Sequence, residues 1–474
     1  MSMFCRCLML TSLRLAMVAC LLVVGYGGAA DAAERWTRLL GDIPVGSATK
    51  GGTSSLGRIY RVTTLDDSGP GSLREALGHQ GPRVVVFDVG GVIRLQSDLG
   101  IYNPWVTVAG QTAPAPVTIV GGTLKIRTGD VILQHIAVRP GPSEDPAVNR
   151  TRDAISIGPC AGCKTPPRGV LLDNVSLSWA IDENIGLFGG PIYDITVRNS
   201  IVAEGLRHGG HPKGQHSAGM LINPGSIGVE VVGNLFASNV FRNPAVAPGT
   251  VVVVANNLIY NPHSLAIHIN AGPASPFSTH MAMINNVVTP GPDTVQRVTT
   301  VHVSSRLPGR VPDAKIFIHG SVSESNRAVL KAPPELKLIQ RATVVPANWD
   351  IIAADEVAQT VLATAGSWPG KRDVIDARII DGARSRSGRL TDRPVEMAAL
   401  ESHKPSVRAA IVPQHPFSMS GIEGMLRIEA WLCLQHFAVG GPPNKSCNAT
   451  AAVLEDALLK TVQAPADVDP AEAD

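Results

Sequence analysis

The sequence is poor in aromatic residues and has no excess of either charge. Only 4% of its 474 residues are Phe, Trp or Tyr, so a core must be built mainly from aliphatic side chains. Lys and Arg number 41, against 39 Asp and Glu. A nucleic-acid-binding surface needs concentrated basic residues to meet phosphate groups. The balanced charge therefore argues against a nucleic-acid partner.

Long apolar runs are scarce as well, and the one present lies at the start of the chain. Arg6 and Arg14 precede an apolar stretch over residues 15–26, and residues 30–32 (Ala-Asp-Ala) offer a small-x-small cleavage site. The stretch is short for a membrane span. Cys20 lies inside the apolar run, which does not favour a lipid anchor. Residues 1–33 are therefore predicted to be a cleaved signal peptide of a secreted or periplasmic protein without a membrane attachment.

Cysteine is sparse, and export changes how it is interpreted. Removal of the signal peptide leaves Cys160, Cys163, Cys433 and Cys447, an even number that suggests disulfides in an oxidising compartment. Cys433 with Cys447 would close a loop near the C-terminus. The pair Cys160 and Cys163 could be a redox motif, half of a zinc site or a local bridge. Because there is no second CxxC and no βαβ context, the local bridge is favoured.

What the sequence does contain is a repeat of short Val/Ile-rich runs. The runs carry Asn174, Asn199, Asn234 and Asn257 near similar places and recur every ~20–35 residues. Such strand-rich repeats are typical of solenoids whose coils stack on one another, and a parallel β-helix fits best. Each asparagine could hydrogen-bond along the stack at an inward corner, or could simply tolerate left-handed turn geometry.

The two ends of the repeat suggest how the chain is divided. Ser72 and Glu75 have capping-box spacing for a short helix that would cover the open end of the stack. We predict an all-β solenoid over residues 34–320 with this N-terminal capping helix. Residues 321–460 would form a C-terminal arm and helices that pack on the solenoid. Residues 461–474 would be a disordered acidic tail.

Several motifs resemble bacterial pectate lyases of polysaccharide lyase family 1, within the pectin lyase-like superfamily. They include YRVTTLDDSGPGSLREAL, VTVAGQTAPAPVTIVGGTLKIRT, DNVSLSWAIDENIG, HPKGQHSAGML and GNLFASNVFRNP. The similarity covers about residues 51–288 in matching order and returns weakly at 371–390 and 424–432. It implies a right-handed parallel β-helix, Ca²⁺ dependence and β-elimination on polygalacturonate to give 4,5-unsaturated oligogalacturonates. The expected partner is thus an acidic plant cell-wall polysaccharide, bound by a monomer.

The implied reaction sets chemical requirements. Elimination removes the C5 proton, which is α to a carboxylate, and expels the glycosidic O4. Cations must offset the charge that builds up on the carboxylate, and Ca²⁺ with clustered Asp and Glu ligands suits this task. A base must also reach the proton.

The resemblance implies roles for two basic residues. Arg242 aligns with the family's catalytic arginine, proposed as the base, and Lys213 matches a substrate-binding lysine. A guanidinium is normally protonated, so only strongly electropositive surroundings would make Arg242 a base. Alternatively, Arg242 fixes a loop or binds a substrate carboxylate, and Lys213 is an ordinary solvated loop lysine.

The predicted metal ligands are acidic residues on neighbouring coils. Asp153 matches a calcium-ligand aspartate, and Asp182 and Glu183 lie about one coil later. On consecutive strand positions Asp182 and Glu183 would face opposite ways, unless the chain bends there. All three could equally be ordinary surface carboxylates. Asp173 also matches a family position, but it lies inside a strand pattern and is expected to be structural.

A histidine cluster accompanies Lys213. His208, His211 and His216 lie in HGGHPKGQH, which raises the possibility of zinc, but no fourth ligand is evident. His211 and His216 are therefore expected to line the substrate groove.

The sequence departs from its relatives where a second arginine often follows Arg242. Ala245 and Ala247 occupy those places, which weakens the positive field around Arg242. This departure keeps two alternatives open: a lyase that acts on another polyuronate such as methylated pectin, and a non-catalytic polysaccharide-binding β-helix.

Overall fold

A computed structural model describes residues 43–460 except 164, 312, 325–326 and 403. The predicted signal peptide and acidic tail lie outside these residues. The described chain is a right-handed parallel β-helix, as expected. Each coil contributes one strand to each of three parallel sheets, which we call sheets I, II and III. None of the described helices is long and apolar enough to cross a membrane.

The strands of each sheet follow one another in coil order. Sheet I has ten strands: β2 (Arg58–Val62), β3 (Arg83–Phe87), β6 (Val106–Ala109), β9 (Val131–Gln134), β12 (Arg168–Asp173), β15 (Ile192–Arg198), β18 (Ser226–Val232), β21 (Val251–Ala255), β24 (Thr279–Ile284) and β27 (Ala314–His319). Sheet II has nine strands: β5 (Leu99–Ile101), β8 (Leu124–Ile126), β11 (Ile155–Ile157), β14 (Glu183–Leu187), β17 (Ala218–Ile222), β20 (Ala245–Val246), β23 (Ile267–Ile269), β26 (Val301–Val303) and β29 (Leu330–Lys331).

Sheet III completes each coil and also receives a strand from the C-terminal part. Its parallel strands are β4 (Val89–Arg94), β7 (Val117–Val120), β10 (Ile136–Arg139), β13 (Ser176–Ser178), β16 (Ile201–Ala203), β19 (Leu235–Ala237), β22 (Leu258–Tyr260), β25 (Val287–Thr289) and β28 (Val322–Ser323). Strand β31 (Ser406–Val407) adds to β4 in antiparallel orientation. Separately, β1 (Ile43–Val45) pairs with β30 (Val344–Pro346).

Within the described residues, seven α-helices lie at the ends and on the flanks of the solenoid. They are α1 (Leu73–Gly78), α2 (Pro146–Asn149), α3 (Ala354–Thr364), α4 (Val374–Ser385), α5 (Met397–Glu401), α6 (Arg427–Ala438) and α7 (Ala451–Lys460). The Ser72 hydroxyl accepts a hydrogen bond from the backbone N–H of Glu75, as the capping-box spacing indicated. Helix α1 buries Leu73, Ala76 and Leu77 against the first coils, so it covers the N-terminal end of the core.

The core is aliphatic because identical positions of successive coils stack in register. Along sheet II, Ile157, Leu187, Ile222, Val246 and Ile269 pair in turn, and all are buried. Each such side chain contributes about 1.5–3 kcal/mol of transfer free energy on burial. Aromatic residues are not needed where one aliphatic column fills the space between neighbouring coils.

The four asparagines that mark the repeat divide into two different columns. Asn174 and Asn199 occupy left-handed corners, with φ of 51° and 49°. Asn234 and Asn257 lie one position later and form a buried ladder, in which Asn234 Nδ2 donates to Asn257 Oδ1 at 3.0 Å. Asn257 Nδ2 then donates to Asn286 Oδ1, also at 3.0 Å. The left-handed corner residue of the Asn234 coil is Gly233 (φ 64°). The turn interpretation thus holds for Asn174 and Asn199 and the stacking interpretation for Asn234 and Asn257, while Asn174 satisfies both because its Nδ2 donates to the backbone oxygen of Asn199 at 3.2 Å.

The C-terminal part covers the outer faces of sheets I and III. Helices α3 and α4 pack on sheet III through Val357, Val361 and Ile379. Helix α6 packs on the first strands of sheet I, and the β1–β30 pair packs on its later strands. The hydrophobic clusters on outer faces of the described chain thus lie on sheets I and III, which leaves the outer face of sheet II for the candidate site.

Two disulfides are present in the described chain. Cys433 is joined to Cys447, with 5.4 Å between Cα atoms, and links α6 to the segment that follows it. Cys160 is joined to Cys163 in the loop after β11.

Candidate active site

Three acidic side chains converge at the start of two neighbouring strands of sheet II. Oxygen atoms of Asp153, Asp182 and Glu183 lie within 4.8 Å of one another. The chain bends at residues 181–182, immediately before β14, so Asp182 and Glu183 do not follow strand alternation. The bend therefore brings both consecutive carboxylates to the same point.

Asp153 is the most enclosed member of this acid cluster, at 4% exposed. Its Oδ1 accepts a hydrogen bond from the backbone N–H of Glu183 at 3.1 Å, which ties β11 to β14. Burial raises the pKa of Asp153 well above its ordinary value, and the Asp182 carboxylate raises it further. Gly186 makes room for it, since a Cβ there would lie 2.6 Å from Asp153 Oδ2.

The donor set of the acid cluster fits a hard cation. Ca²⁺ takes six to eight oxygen ligands, and three carboxylates can supply several of them while waters or substrate supply the rest. Mutual repulsion between buried carboxylates is the condition that a bound cation relieves. The residues predicted as metal ligands are thus found together, with chemistry suited to Ca²⁺.

Arg242 lies at the edge of the acid cluster, in the turn before β20. Its backbone has φ of 60° and its side chain is 22% exposed. The guanidinium forms an ion pair with Glu183 and lies over the Phe241 ring, 5.0 Å from the ring centroid. Burial lowers the pKa of Arg242, although the carboxylates of Asp182 and Asp153 act in the opposite direction. A cation that neutralised those carboxylates would lower the pKa of Arg242 further.

His211 and His216 lie beneath the surface and do not line an open groove. They are 5% and 4% exposed, and their rings stack with centroids 4.0 Å apart. His216 Nε2 lies 2.8 Å from Asp182 Oδ1 and His211 Nε2 lies 3.7 Å from it, without the alignment of a hydrogen bond. The two stacked rings thus pack against the Asp182 carboxylate on its buried side.

The same stack holds the loop that carries Lys213. The backbone N–H of Lys213 donates to His211 Nδ1 at 3.1 Å, while the Lys213 side chain is exposed. A neutral imidazole that accepts at Nδ1 carries its proton on Nε2. His211 Nε2 then has no lone pair for a metal, which argues against zinc at Asp182, His211 and His216.

Two other residues of the motifs lie apart from the acid cluster. His208 pairs with Asp392 of the C-terminal part at 3.0 Å. Asp173 is buried and forms an ion pair with Arg198 at 2.8 Å. Burial raises the pKa of Asp173, but the Arg198 guanidinium outweighs this effect and holds the pKa below its ordinary value. Asp173 is therefore structural, as its strand position indicated.

Ala245 on β20 and Ala247 immediately after it are both buried. The next coil supplies a residue that the motifs did not reveal. His268 on β23 pairs in register with Ala245, and the positive charge of Arg242 acts on its imidazole. Burial, with smaller effects of His302 and Arg242, lowers the pKa of His268 to about 4. His268 could have been identified from the sequence by aligning successive coils of the repeat.

Comparison with known proteins finds relatives with one shared name. No protein-family model matches the chain. The chain is 35% identical over 240 residues to "Probable pectate lyase C" of Aspergillus flavus, across 50% of this chain and 51% of that protein. It is 39% identical over 207 residues to the protein of the same name from Aspergillus terreus, across 43% and 44%. The chain thus spans about half the length of the curated relatives it matches. These relatives are fungal, so the bacterial part of the resemblance is not supported.

Solved structures of the same fold show a looser likeness. The cedar-pollen allergen jun a 1 aligns with a TM-score of 0.46 and 17% identity, over 68% of this chain and 91% of that one. A pectate lyase bound to hexasaccharide aligns with a TM-score of 0.45 and 15% identity, over 70% and 98%.

Proposed function

We propose that the protein is an exported, calcium-dependent pectate lyase that cleaves polygalacturonate by β-elimination. The observation that carries the proposal is the meeting of Asp153, Asp182 and Glu183 with Arg242 on the outer face of sheet II. The sequence similarity to proteins named pectate lyase supports it over about half of the chain. Two disulfides agree with an oxidising destination.

Asp153, Asp182 and Glu183 would hold the calcium ion. When bound, Ca²⁺ supplies positive charge that stabilises the developing enolate of a substrate carboxylate. The protein side chains keep their carboxylates within reach of one site by the bend at residues 181–182 and by the hydrogen bond to Asp153.

Arg242 would take the proton from C5 of the uronate whose C4–O4 bond is cleaved. The electron pair of the C5–H bond forms the C4–C5 double bond of that uronate, the C4–O4 bond breaks, and the O4 anion of the released preceding chain takes a proton from water. The proton rests on the Arg242 guanidinium, which returns it to solvent. Partial burial of Arg242 favours the neutral form that this step requires, and alkaline pH increases its population.

Lys213 would bind a substrate carboxylate as a point charge. Its exposed side chain extends from a loop whose backbone is fixed by the buried His211–His216 stack. In this assignment the two histidines act by positioning Lys213 and Asp182, beneath the substrate.

The uncharged positions Ala245 and Ala247 favour one second candidate, a lyase for a polyuronate of lower charge such as methylated pectin. Fewer cations near Arg242 would select against a fully ionised substrate. A β-helix that binds polysaccharide without cleaving it is the remaining outcome.

The test is formation of the unsaturated product, followed by its ultraviolet absorbance. The mature protein is incubated with polygalacturonate or with highly methylated pectin, in calcium and then in chelator. We expect a calcium-dependent rise on polygalacturonate that the Arg242→Ala variant abolishes. Arg168→Ala is the matched control, because Arg168 also pairs with a carboxylate but lies on sheet I.

A rise on methylated pectin that is indifferent to chelator would favour the second candidate. Absence of product from a folded protein at neutral to alkaline pH would refute the lyase assignment and leave a binding protein.

A further inference from the structure

A row of nitrogen-bearing side chains begins three strands beyond β14 on the outer face of sheet II. His268 on β23 pairs in register with His302 on β26, and His302 pairs with Lys331 on β29. Neighbouring strands lie about 4.8 Å apart, so the three side chains follow one another at regular spacing. Their strand neighbours Ile267, Ile269, Val301 and Val303 are buried in the core. Alternation along each strand therefore directs the row outward.

The row begins next to the proposed base. The charge of Arg242 acts on His268, and the rings of His268 and His302 meet edge to face with centroids 5.6 Å apart. The charge of Lys331 acts in turn on His302. His268, His302 and Lys331 thus form one line that leads from the strand next to β20 toward the C-terminal coils, and Arg242 lies just before β20.

These groups are not engaged by the protein itself. Within the described part of the chain, no acidic side chain pairs with Lys331, and neither imidazole makes a hydrogen bond. The contrast with other cations is clear, since Arg139, Arg198 and Arg378 each pair with buried carboxylates. Open donors in a regular outward row indicate a ligand that supplies anions from outside.

We propose that His268, His302 and Lys331 form an anion-binding row for the carboxylates of a uronate polymer. The proposal rests on the proposed function for the identity of the polymer. A linear chain of 1,4-linked uronates carries one carboxylate per sugar, and it advances along the solenoid by steps comparable with the spacing of the coils.

The chemistry of each group fits such a ligand. Burial lowers the pKa of both imidazoles, helped at His268 by His302 and Arg242 and at His302 by Lys331, so both are neutral N–H donors at neutral pH. Lys331 adds a full charge at the exposed end of the row. The row also supplies, one to three coils later, polar groups in place of the side chains that Ala245 and Ala247 lack.

The experiment measures the affinity for a defined oligogalacturonate by calorimetry in the Arg242→Ala background, where the ligand is not consumed. The double variant H302Q/K331Q is compared with H280Q/K315Q. The control pair is also a histidine and a lysine in register on neighbouring strands of the same coils, but on sheet I. We expect the test pair to weaken binding by about ten-fold, the factor that corresponds to 1.4 kcal/mol. The control pair is expected to change it less than about two-fold, within the scatter of exposed charges.

Equal affinities of the two double variants, with equal thermal midpoints, would overturn the proposal. If the parent protein binds the oligomer through the row but yields no unsaturated product, the anion-binding row stands and the lyase assignment fails. If it cleaves polygalacturonate and H302Q/K331Q changes neither KM nor affinity, the lyase assignment stands and the row fails. If the parent protein binds no uronate oligomer, both fail.

Discussion

Replacement of Asp153 by Asn is expected to make the protein more stable than the parent protein in chelator but less stable than the parent protein in calcium. Asp153 and its acidic neighbours have oxygens within 4.8 Å of one another. At an effective dielectric constant near 20, two unit charges at that distance repel by about 3 kcal/mol. Attraction to Arg127, Arg242 and Lys125 offsets part of this repulsion. We therefore expect the free energy of unfolding of D153N to exceed that of the parent protein by about 1–2 kcal/mol in chelator at neutral pH.

Calcium should stabilise the parent protein and not the variant. At a free Ca²⁺ concentration about 100 times the dissociation constant, binding adds about 2.7 kcal/mol to the unfolding free energy. The Asn amide still accepts the hydrogen bond from the Glu183 N–H, so the local backbone is retained. The variant should thus be the more stable protein in chelator and the less stable one in calcium.

In chelator, the difference in unfolding free energy between D153N and the parent protein should depend on pH, because the pKa of Asp153 is raised in the folded protein. A carboxyl whose folded-state pKa is raised favours folding below the unfolded-state pKa, and this advantage is lost as pH rises through the folded-state value. The stability advantage of D153N should therefore shrink as the pH falls from neutral toward the ordinary Asp value of 3.8.

The assay is urea unfolding followed by circular dichroism, in chelator and in calcium. Asp194→Asn is the control, because Asp194 pairs with Arg168 on sheet I and should cost no more than about 1 kcal/mol while keeping the calcium response. Loss of stability in D153N in chelator would refute the idea that the carboxylates repel one another. An undiminished calcium response in D153N would refute its role as a ligand.

Two further substitutions test the stack and the loop. Asn257→Ala should destabilise the protein by about 2–4 kcal/mol, because it leaves the buried backbone N–H of Asn234 without its acceptor and removes one hydrogen bond each from Asn234 Nδ2 and Asn286 Oδ1, and an unpaired buried group costs about 1–3 kcal/mol. Asn223→Ala, whose side chain makes no hydrogen bond in the described chain, is its control in urea unfolding, and equal losses would exclude the ladder as a stabilising feature. His211→Phe keeps a ring for the stack but loses the acceptor for the Lys213 N–H, so KM for polygalacturonate should rise several-fold, as in Lys213→Ala. His208→Phe should leave KM unchanged, and an unchanged KM in His211→Phe would remove the positioning role.

Local residue patterns were sufficient to predict where the strands and the first helix lie along the chain. Short Val/Ile-rich runs separated by turns predict strands because side-chain alternation and β-branched packing act over a few residues. The Ser72 cap depends on residues three apart, so it could also be predicted. The register of the asparagine columns could not, because a corner residue and a ladder residue differ by one position and both accept asparagine.

The candidate site divides in the same way. Motif resemblance selected Asp153, Asp182, Glu183, Arg242 and Lys213. It left open whether Asp182 and Glu183 face opposite ways or the chain bends there, and the structure has the bend, at residues 181–182. The burial of His211 and His216 depends on how a Gly/Pro-rich loop folds over its own coil. The spacing of residues along the chain therefore could not predict how deeply His211 and His216 are buried.

By itself, the sequence determined a stack of parallel coils with an aliphatic core, since periodicity and composition act locally and repeat from coil to coil. Tertiary structure alone decided which faces of the solenoid are covered and which side chains meet across strands. Helices far away in sequence cover sheet III and leave the outer face of sheet II open; Asp376 of α4, for example, forms an ion pair with Arg139 of β10, which lies 237 residues earlier. Likewise, His268, His302 and Lys331 become neighbours only through strand register, because hydrogen bonding between coils aligns residues that lie about 30 positions apart.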